Sequence, residues 1–277
     1  MNTRLWTLTK VELYKLSRQK FSYLIVAFLM FNAVLVGLGS RIFPRILAAM
    51  SGGGGAAFDG YTFASVIASG TFSSAGAGTI AMLAFSGAMV ASETDSGTLK
   101  NILVRPVGRG EFIGAKALAL FIYCLVIVVL MGVFSVASGA IFYGMGDLSL
   151  VETGEVYRTA PEMFANMLVA FGMDLLSIYT VGLMGLMLST MINNTGWAVI
   201  TSLVVYFPVM FLKNFDLFSP WVFTSYMDLG QNILREMAQV KSKSWTPDIY
   251  GFIAVNALTS AAFITASLVV FKRKDIQ

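Results

Sequence analysis

The chain has no histidine, one cysteine, six prolines and very little charge for its 277 residues. Without histidine it lacks the usual general base at neutral pH and the commonest zinc and haem ligand. The single cysteine, Cys124, lies inside an apolar run, so one chain cannot build a disulfide framework or a thiolate metal site. No glycine is followed directly by lysine, which excludes the G-x-x-x-x-G-K-[ST] loop that cradles nucleotide phosphates. The chain is therefore read as a non-enzyme without a bound cofactor, and any nucleotide energy it uses must come from another chain. Charged residues make up 12%, half of the ~25% usual in soluble domains. Hydrophobic residues make up 57% and are gathered into long runs, which points to an integral membrane protein. The net charge of +4 comes from basic residues beside those runs; this is the pattern of a membrane-orientation signal, and no nucleic-acid partner is expected.

The apolar runs predict an all-α fold of six transmembrane helices, at about residues 21–39, 62–91, 117–143, 163–191, 197–212 and 249–271. Each is near or above the ~20 residues needed to cross ~30 Å of hydrocarbon. Residues 1–20 form a separate basic segment ahead of the six-span domain of 21–277. As a helix it gathers Leu5, Trp6, Leu13 and Leu16 on one arc, with Glu12, Lys15 and Arg18 among its charges. It reads as an interfacial helix on membrane lipid with Trp6 at headgroup depth, or as a solvated topology signal. The run that follows it is too long for a cleaved signal peptide. Counting Lys and Arg on the two sides gives twelve on the side of both termini and seven on the other, which predicts cytoplasmic termini.

One interior stretch, Glu93 to Lys116, is polar, charged and rich in breakers. Within it Leu99, Ile102 and Leu103 share one face of a short helix that Ser96 would cap and Pro106 would end. A short amphipathic helix held outside the bilayer is suited to docking on a soluble partner. The N-terminal Lys10-Val11-Glu12-Leu13-Tyr14-Lys15, with Arg18, is similar to the K-x-E-L-x-K-x-x-R helix of ABC-2 type ABC transporter permeases. Glu93, Gly97-Thr98-Leu99, Leu103, Pro106-Val107-Gly108-Arg109 and Lys116 resemble the same family's E-x-x-x-G-T-L-x-x-x-L, P-V-x-R and lysine pattern. Gly108 departs from the serine usual there.

That resemblance implies the permease subunit of an ATP-driven exporter in a prokaryotic cytoplasmic membrane. Two copies of a nucleotide-binding ATPase subunit would bind ATP and magnesium, and a second permease copy, identical or related, would complete the pathway. It further implies a coupling helix over about residues 97–104, seated in a groove on the ATPase. Leu99, Ile102 and Leu103 would give its apolar contact and Glu93, Lys100, Arg105 and Arg109 its orientation, with Gly97, Thr98 and Pro106 shaping the turn. Re-entrant helices capping the outer mouth are also implied.

Asp174 is the one carboxylate buried in a span, with Ser177 three residues along the same helix. A mid-bilayer charge costs about 2.5–3.5 kcal/mol on insertion scales, so it faces a cavity or a partner. It reads either as a polar site in the translocation path or as a helix–helix hydrogen bond. Three functional classes follow. They are an ATP-driven export permease, a secondary transporter or channel using Asp174, and a membrane enzyme, against which stand the lack of histidine and of a recognisable catalytic set; an anchor that passes ATPase motion to a periplasmic partner is a further alternative. A secondary transporter would be expected to carry several intramembrane charges and internal repeats.

Overall fold

A computed structural model describes residues 3–51, 76, 78–99, 108–143, 148–149, 156–158, 160–230, 232–233 and 248–274. Helix α1, Thr3–Arg18, leads through Gln19 into α2, Lys20–Ser51. Ser22 Oγ donates to the Leu16 carbonyl at 2.9 Å and holds that corner. Residues 78–88 form α3, and Ala91–Asp95 a short α4. Then come α5, Arg109–Tyr143, and a two-stranded antiparallel ribbon of β1, Leu148–Ser149, and β2, Val156–Arg158. The chain continues through α6, Ala160–Met191, and α7, Thr195–Leu212. A 3-10 turn at Phe223–Tyr226 precedes the last helix, α8, Asp248–Arg273.

Four helical stretches are long and apolar enough to cross a membrane: Arg109–Phe142, Phe164–Met191, Thr195–Leu212 and Ile249–Arg273. They correspond to the third to sixth expected spans. The expected first span contributes a shorter apolar stretch, Ser22–Leu35, within α2. Half of the expected second span of residues 62–91, its first part, lies outside the described residues. The chain is thus a predominantly helical membrane protein, and the small ribbon is an addition to the all-α expectation. Its second strand, Val-Tyr-Arg, begins with the β-branched and aromatic residues that suit a pleated edge.

Two boundaries differ from the sequence reading. Helix α2 does not stop near Gly39 but continues to Ser51, next to the glycine run of residues 52–55. Helix α5 begins at Arg109 rather than Ala117. The Glu111 carboxylate explains the early start: its Oε2 accepts from the Gly108 backbone N–H at 3.1 Å, the reciprocal half of a capping box. At α7, Asn194 Oδ1 accepts from Trp197 N–H at 3.2 Å and sets the N-terminus two residues ahead of the expected one.

Helix α6 lies at the centre. It runs parallel to α8: Met173 packs with Phe252, Thr180 Oγ and Ser260 Oγ are 2.9 Å apart, and Lys274 Nζ donates to the Thr190 carbonyl at 2.9 Å. The larger apolar core joins α2, α3, α5 and α6 through Leu29, Met82, Leu120, Ile127 and Ile178. With no hydrophobic gain from leaving lipid, such helices hold together by close approach of small residues. Gly185 of α6 is the tightest case, since a Cβ there would collide with Ser86 Oγ of α3. Gly185→Val is expected to destabilise the bundle by about 1–3 kcal/mol, as overpacked cores do. A lowered midpoint of thermal unfolding in detergent, with Gly185→Ala milder than Gly185→Val, checks this.

Candidate functional site

Of the stretch that the sequence singled out, the described residues 93–99 and 108–116 sit at the end of the bundle that holds α1 and the end of α8. Helix α1 packs on the start of α5, and its inward face is Thr9, Glu12 and Leu16. Glu12, expected among the charges of an interfacial helix, is buried. The compensation is Lys116 of α5, only 1% exposed. Lys116 Nζ donates to Glu12 Oε2 at 3.0 Å and to the Met89 carbonyl at 3.0 Å, and lies 3.1 Å from Glu93 Oε1. Lys15 closes the ring, 2.9 Å from Glu12 Oε1 and 2.8 Å from Glu93 Oε1. Two acids and two bases from three separate segments therefore balance one another, and the Phe112 ring covers Lys116 with its centroid 4.8 Å from Nζ.

Burial pushes the Glu12 carboxyl up, but Lys116 and Lys15 outweigh it and hold the group below its ordinary 4.5. Burial pulls Lys15 down, and its bonds to Glu93 and Glu12 outweigh that and hold it above its ordinary 10.5.

Three further ties radiate from the same stretch and the turn just before it. The Val90 and Ala91 N–H groups donate to Ser189 Oγ of α6 at 3.0 and 2.9 Å. Asp95 Oδ2 accepts from Thr195 N–H at 3.2 Å and from Thr195 Oγ at 2.9 Å, which places a carboxylate on the positive end of α7. Arg109 Nη1 donates to the Phe271, Lys272 and Lys274 carbonyls at 3.3, 2.7 and 3.2 Å, closing the C-terminus of α8. Gly97 has φ +70°, the left-handed conformation that ends α4. Thr98 Oγ donates to the Glu93 carbonyl at 3.3 Å and pairs with Ser96 Oγ at 2.9 Å.

Several sequence-predicted residues thus stand elsewhere than expected. Leu99, assigned to an outward docking face, is 2% exposed and belongs to the main core. Glu93 and Arg109, assigned to orient a partner, instead bind α1, α5 and α8. Ser96 was expected to cap a helix ahead of it; its hydroxyl bonds instead to Glu93 and Thr98. Lys100, Ile102, Leu103, Arg105 and Pro106, with most of the expected helix 97–104, lie outside the described residues. On α1, Trp6 is exposed with Lys10 Nζ 5.7 Å from its ring centroid, and Arg18 lies over Tyr14 at 5.3 Å. Asp95, Ser189 and the burial of Lys116 were not foreseen; only the Glu12 and Glu93 charges hinted at a buried partner.

A second site lies toward the other end. Asp174 of α6 is 2% exposed, and its Oδ2 has no hydrogen-bond partner among the described residues. The expected Ser177 is buried on the same helix with its Oγ likewise unpartnered. The parallel register set by Thr180 and Ser260 brings Asn256 of α8 to the neighbouring turn, where its Nδ2 donates to Phe252 and its Oδ1 is left open. The segment after α7 folds back over this site. Thr224 Oγ donates to the Val209 carbonyl at 3.0 Å, and Gly230 packs so closely on α6 that a Cβ would meet the Ala170 carbonyl at 2.8 Å and Asp174 Oδ1 at 3.1 Å. Among the described residues no group of three or more His, Cys, Asp or Glu could hold a metal ion.

A family model described as "Protein of unknown function (DUF2705)" matches residues 58–277. The chain belongs to the DUF2705 family. The match takes in Glu93, Lys116 and Asp174 but begins after α1 and α2. A curated relative, "Uncharacterized protein YhcI" from Bacillus subtilis (strain 168), is 25% identical over 115 residues. The alignment covers 40% of this chain and 37% of the relative's length.

Lys116→Met would leave two buried carboxylates facing each other with only the half-exposed Lys15 between them. Removing one partner of a buried pair typically costs about 3–5 kcal/mol, so the variant is expected to release α1 and unfold at lower temperature. Faster trypsin cleavage at Arg18 and Lys20, with partial rescue by Lys116→Arg, checks it. The same ring has a pH window. The Glu12 contribution is full above its unfolded value of 4.5 and is lost as pH falls through its lower folded value. The Lys15 contribution is full below 10.5 and is lost as pH rises through its higher folded value. Thermal stability should therefore plateau between these limits, and Glu12→Gln should flatten the acid limb.

Proposed function

We propose that this chain is the membrane-spanning subunit of an ATP-driven exporter of the ABC-2 type. A separate nucleotide-binding ATPase, in two copies with ATP and magnesium, drives it, and a second permease copy completes the pathway across a prokaryotic cytoplasmic membrane. The observation that carries the reading is the convergence of α1, α5, α6, α7 and α8 on one polar stretch through Lys15, Lys116, Ser189, Asp95 and Arg109. A force applied between Glu93 and Arg109 reaches each of those helices through a hydrogen bond or ion pair, without passing through soft apolar contacts. The absence of any phosphate-cradling loop in the chain agrees with a motor on another subunit.

In this reading residues 100–107 carry the contact with the ATPase, and Leu99 anchors that segment to the core. Ile102→Asp or Arg105→Glu is then expected to abolish co-purification with the partner ATPase while leaving the permease folded. Retained co-purification together with normal ATP-dependent transport would overturn the coupling.

Asp174 and Ser177 form the polar element of the path, closed on the outer side by the Gly230 segment. The open Asp174 Oδ2 also favours a second reading, a gradient-driven transporter using that carboxylate. Asp174→Asn is expected to lower transport severalfold and to remove its pH dependence while ATPase co-purification persists. Transport that follows an imposed proton gradient in the absence of ATP would favour the second reading.

A further inference from the structure

The outer face of α1 carries a regular pattern. Trp6, Lys10, Tyr14 and Arg18 recur at every fourth position, which sets them in one row along the helix. All four are exposed. Each cation stands over the ring one turn before it. Lys10 Nζ is 5.7 Å from the Trp6 centroid, and Arg18 Cζ is 5.3 Å from that of Tyr14. Exposed Arg4 and Lys20 extend the basic character at either end of the row. The one acid of α1, Glu12, is buried on the opposite face and bound to Lys15 and Lys116.

The row is therefore left with unbalanced positive charge. Among the described residues Arg4, Lys10, Arg18 and Lys20 make no ion pair. The acids described at this end of the bundle are engaged elsewhere: Glu93 with two lysines, Asp95 with the start of α7, Glu111 with the Gly108 N–H. A ring beneath a cation orients it but neither neutralises it nor takes up its N–H donors. Lys10 and Arg18 are ~12 Å apart along the axis, so each can meet a separate phosphate. Lipid is close by connectivity. Only Gln19 separates α1 from α2, and at most ~14 Å of chain joins Arg18 to Ser22, where the apolar stretch of α2 begins. That stretch exposes Tyr23, Leu24, Phe28 and Phe31, a surface suited to hydrocarbon.

We propose that the outer face of α1 binds anionic phospholipid, with headgroup phosphates on Lys10 and Arg18 and the Trp6 and Tyr14 rings packed beside them. Tryptophan and tyrosine concentrate at the membrane–water interface, and a row of cations there draws anionic headgroups. The acidic face of a soluble protein is the rival occupant, and the short tether to α2 favours lipid over it. The assignment holds whichever energy source drives the protein.

The full-length protein is placed in nanodiscs of equal parts phosphatidylglycerol and phosphatidylcholine, then released, and its retained lipids are counted by native mass spectrometry. Phosphatidylglycerol is expected to outnumber phosphatidylcholine severalfold. Lys10→Gln/Arg18→Gln should lower that ratio about fivefold, the value of about one cation at an anionic surface. Trp6→Leu/Tyr14→Leu keeps every charge and should lower it about two- to threefold. Lys272→Gln/Arg273→Gln removes the same charge from the exposed end of α8, where no ring lies beside the cations among the described residues, and should change it less than twofold. All these side chains lie outside the ion ring, so an unchanged unfolding midpoint in detergent separates lipid loss from misfolding. An unchanged ratio in Lys10→Gln/Arg18→Gln overturns the proposal. An equal loss from the α8 pair also overturns it, because diffuse charge and not a site would then hold the lipid. Lost co-purification with the partner ATPase at an unchanged lipid ratio would assign the face to a soluble protein instead.

Discussion

One buried ammonium group organises the end of this bundle where the chain begins and finishes. Lys116 lies almost wholly out of solvent at the foot of α5, held by carboxylates from α1 and from the stretch after α3. A buried ion pair is a weak source of net stability, because desolvation offsets most of the Coulombic gain. What it supplies here is placement. An amphipathic N-terminal helix could slide along the membrane surface, and apolar contacts would not oppose that strongly. A charge that is satisfied in only one arrangement does oppose it. The position of α1 then follows from where Lys116 needs its partners.

The other ties obey the same logic with different chemistry. Asp95 sits on the positive end of α7, Arg109 on the negative end of α8, and Ser189 receives two backbone donors that a short helix start leaves free. Each satisfies groups that a helix terminus would otherwise leave open. Each also happens to join a separate helix to the same twenty-odd residues. The far half of the bundle is built differently. There α6 and α8 meet through Thr180 and Ser260, and a few polar atoms have no hydrogen-bond partner among the described residues.

The sequence made the helical membrane architecture and the special character of Glu93 to Lys116 readable, since composition and breakers suffice for both. It also marked Asp174 as unusual. Other features were not readable for stated reasons. Periodicity tells which residues share a helix face, and by spacing it groups Leu99 with Ile102 and Leu103. It cannot tell whether that face looks outward, and Leu99 looks inward. Pro106-Val107-Gly108-Arg109 reads as a turn, which puts the expected helix start at Ala117; the cue to the earlier start is the capping carboxylate of Glu111. Lys116 and Glu12 are more than a hundred residues apart, and nothing local to either announces the other. Arg109 near the start of one helix carried no hint that its acceptors are the carbonyls ending another.

The three longest helices have a geometric consequence beyond packing. At 1.5 Å per residue, the 32 residues of α2 and α6 and the 35 of α5 measure roughly 48 to 52 Å, against ~30 Å of hydrocarbon. Even an inclination of 40°, the steep limit for such rods, absorbs only part of the surplus. Their ends therefore extend beyond the hydrocarbon, and the β1–β2 ribbon lies in the connection between α5 and α6. Rods longer than the hydrocarbon they cross must tilt or stand out of it, so the length of these three helices fixes a choice that their packing alone leaves open.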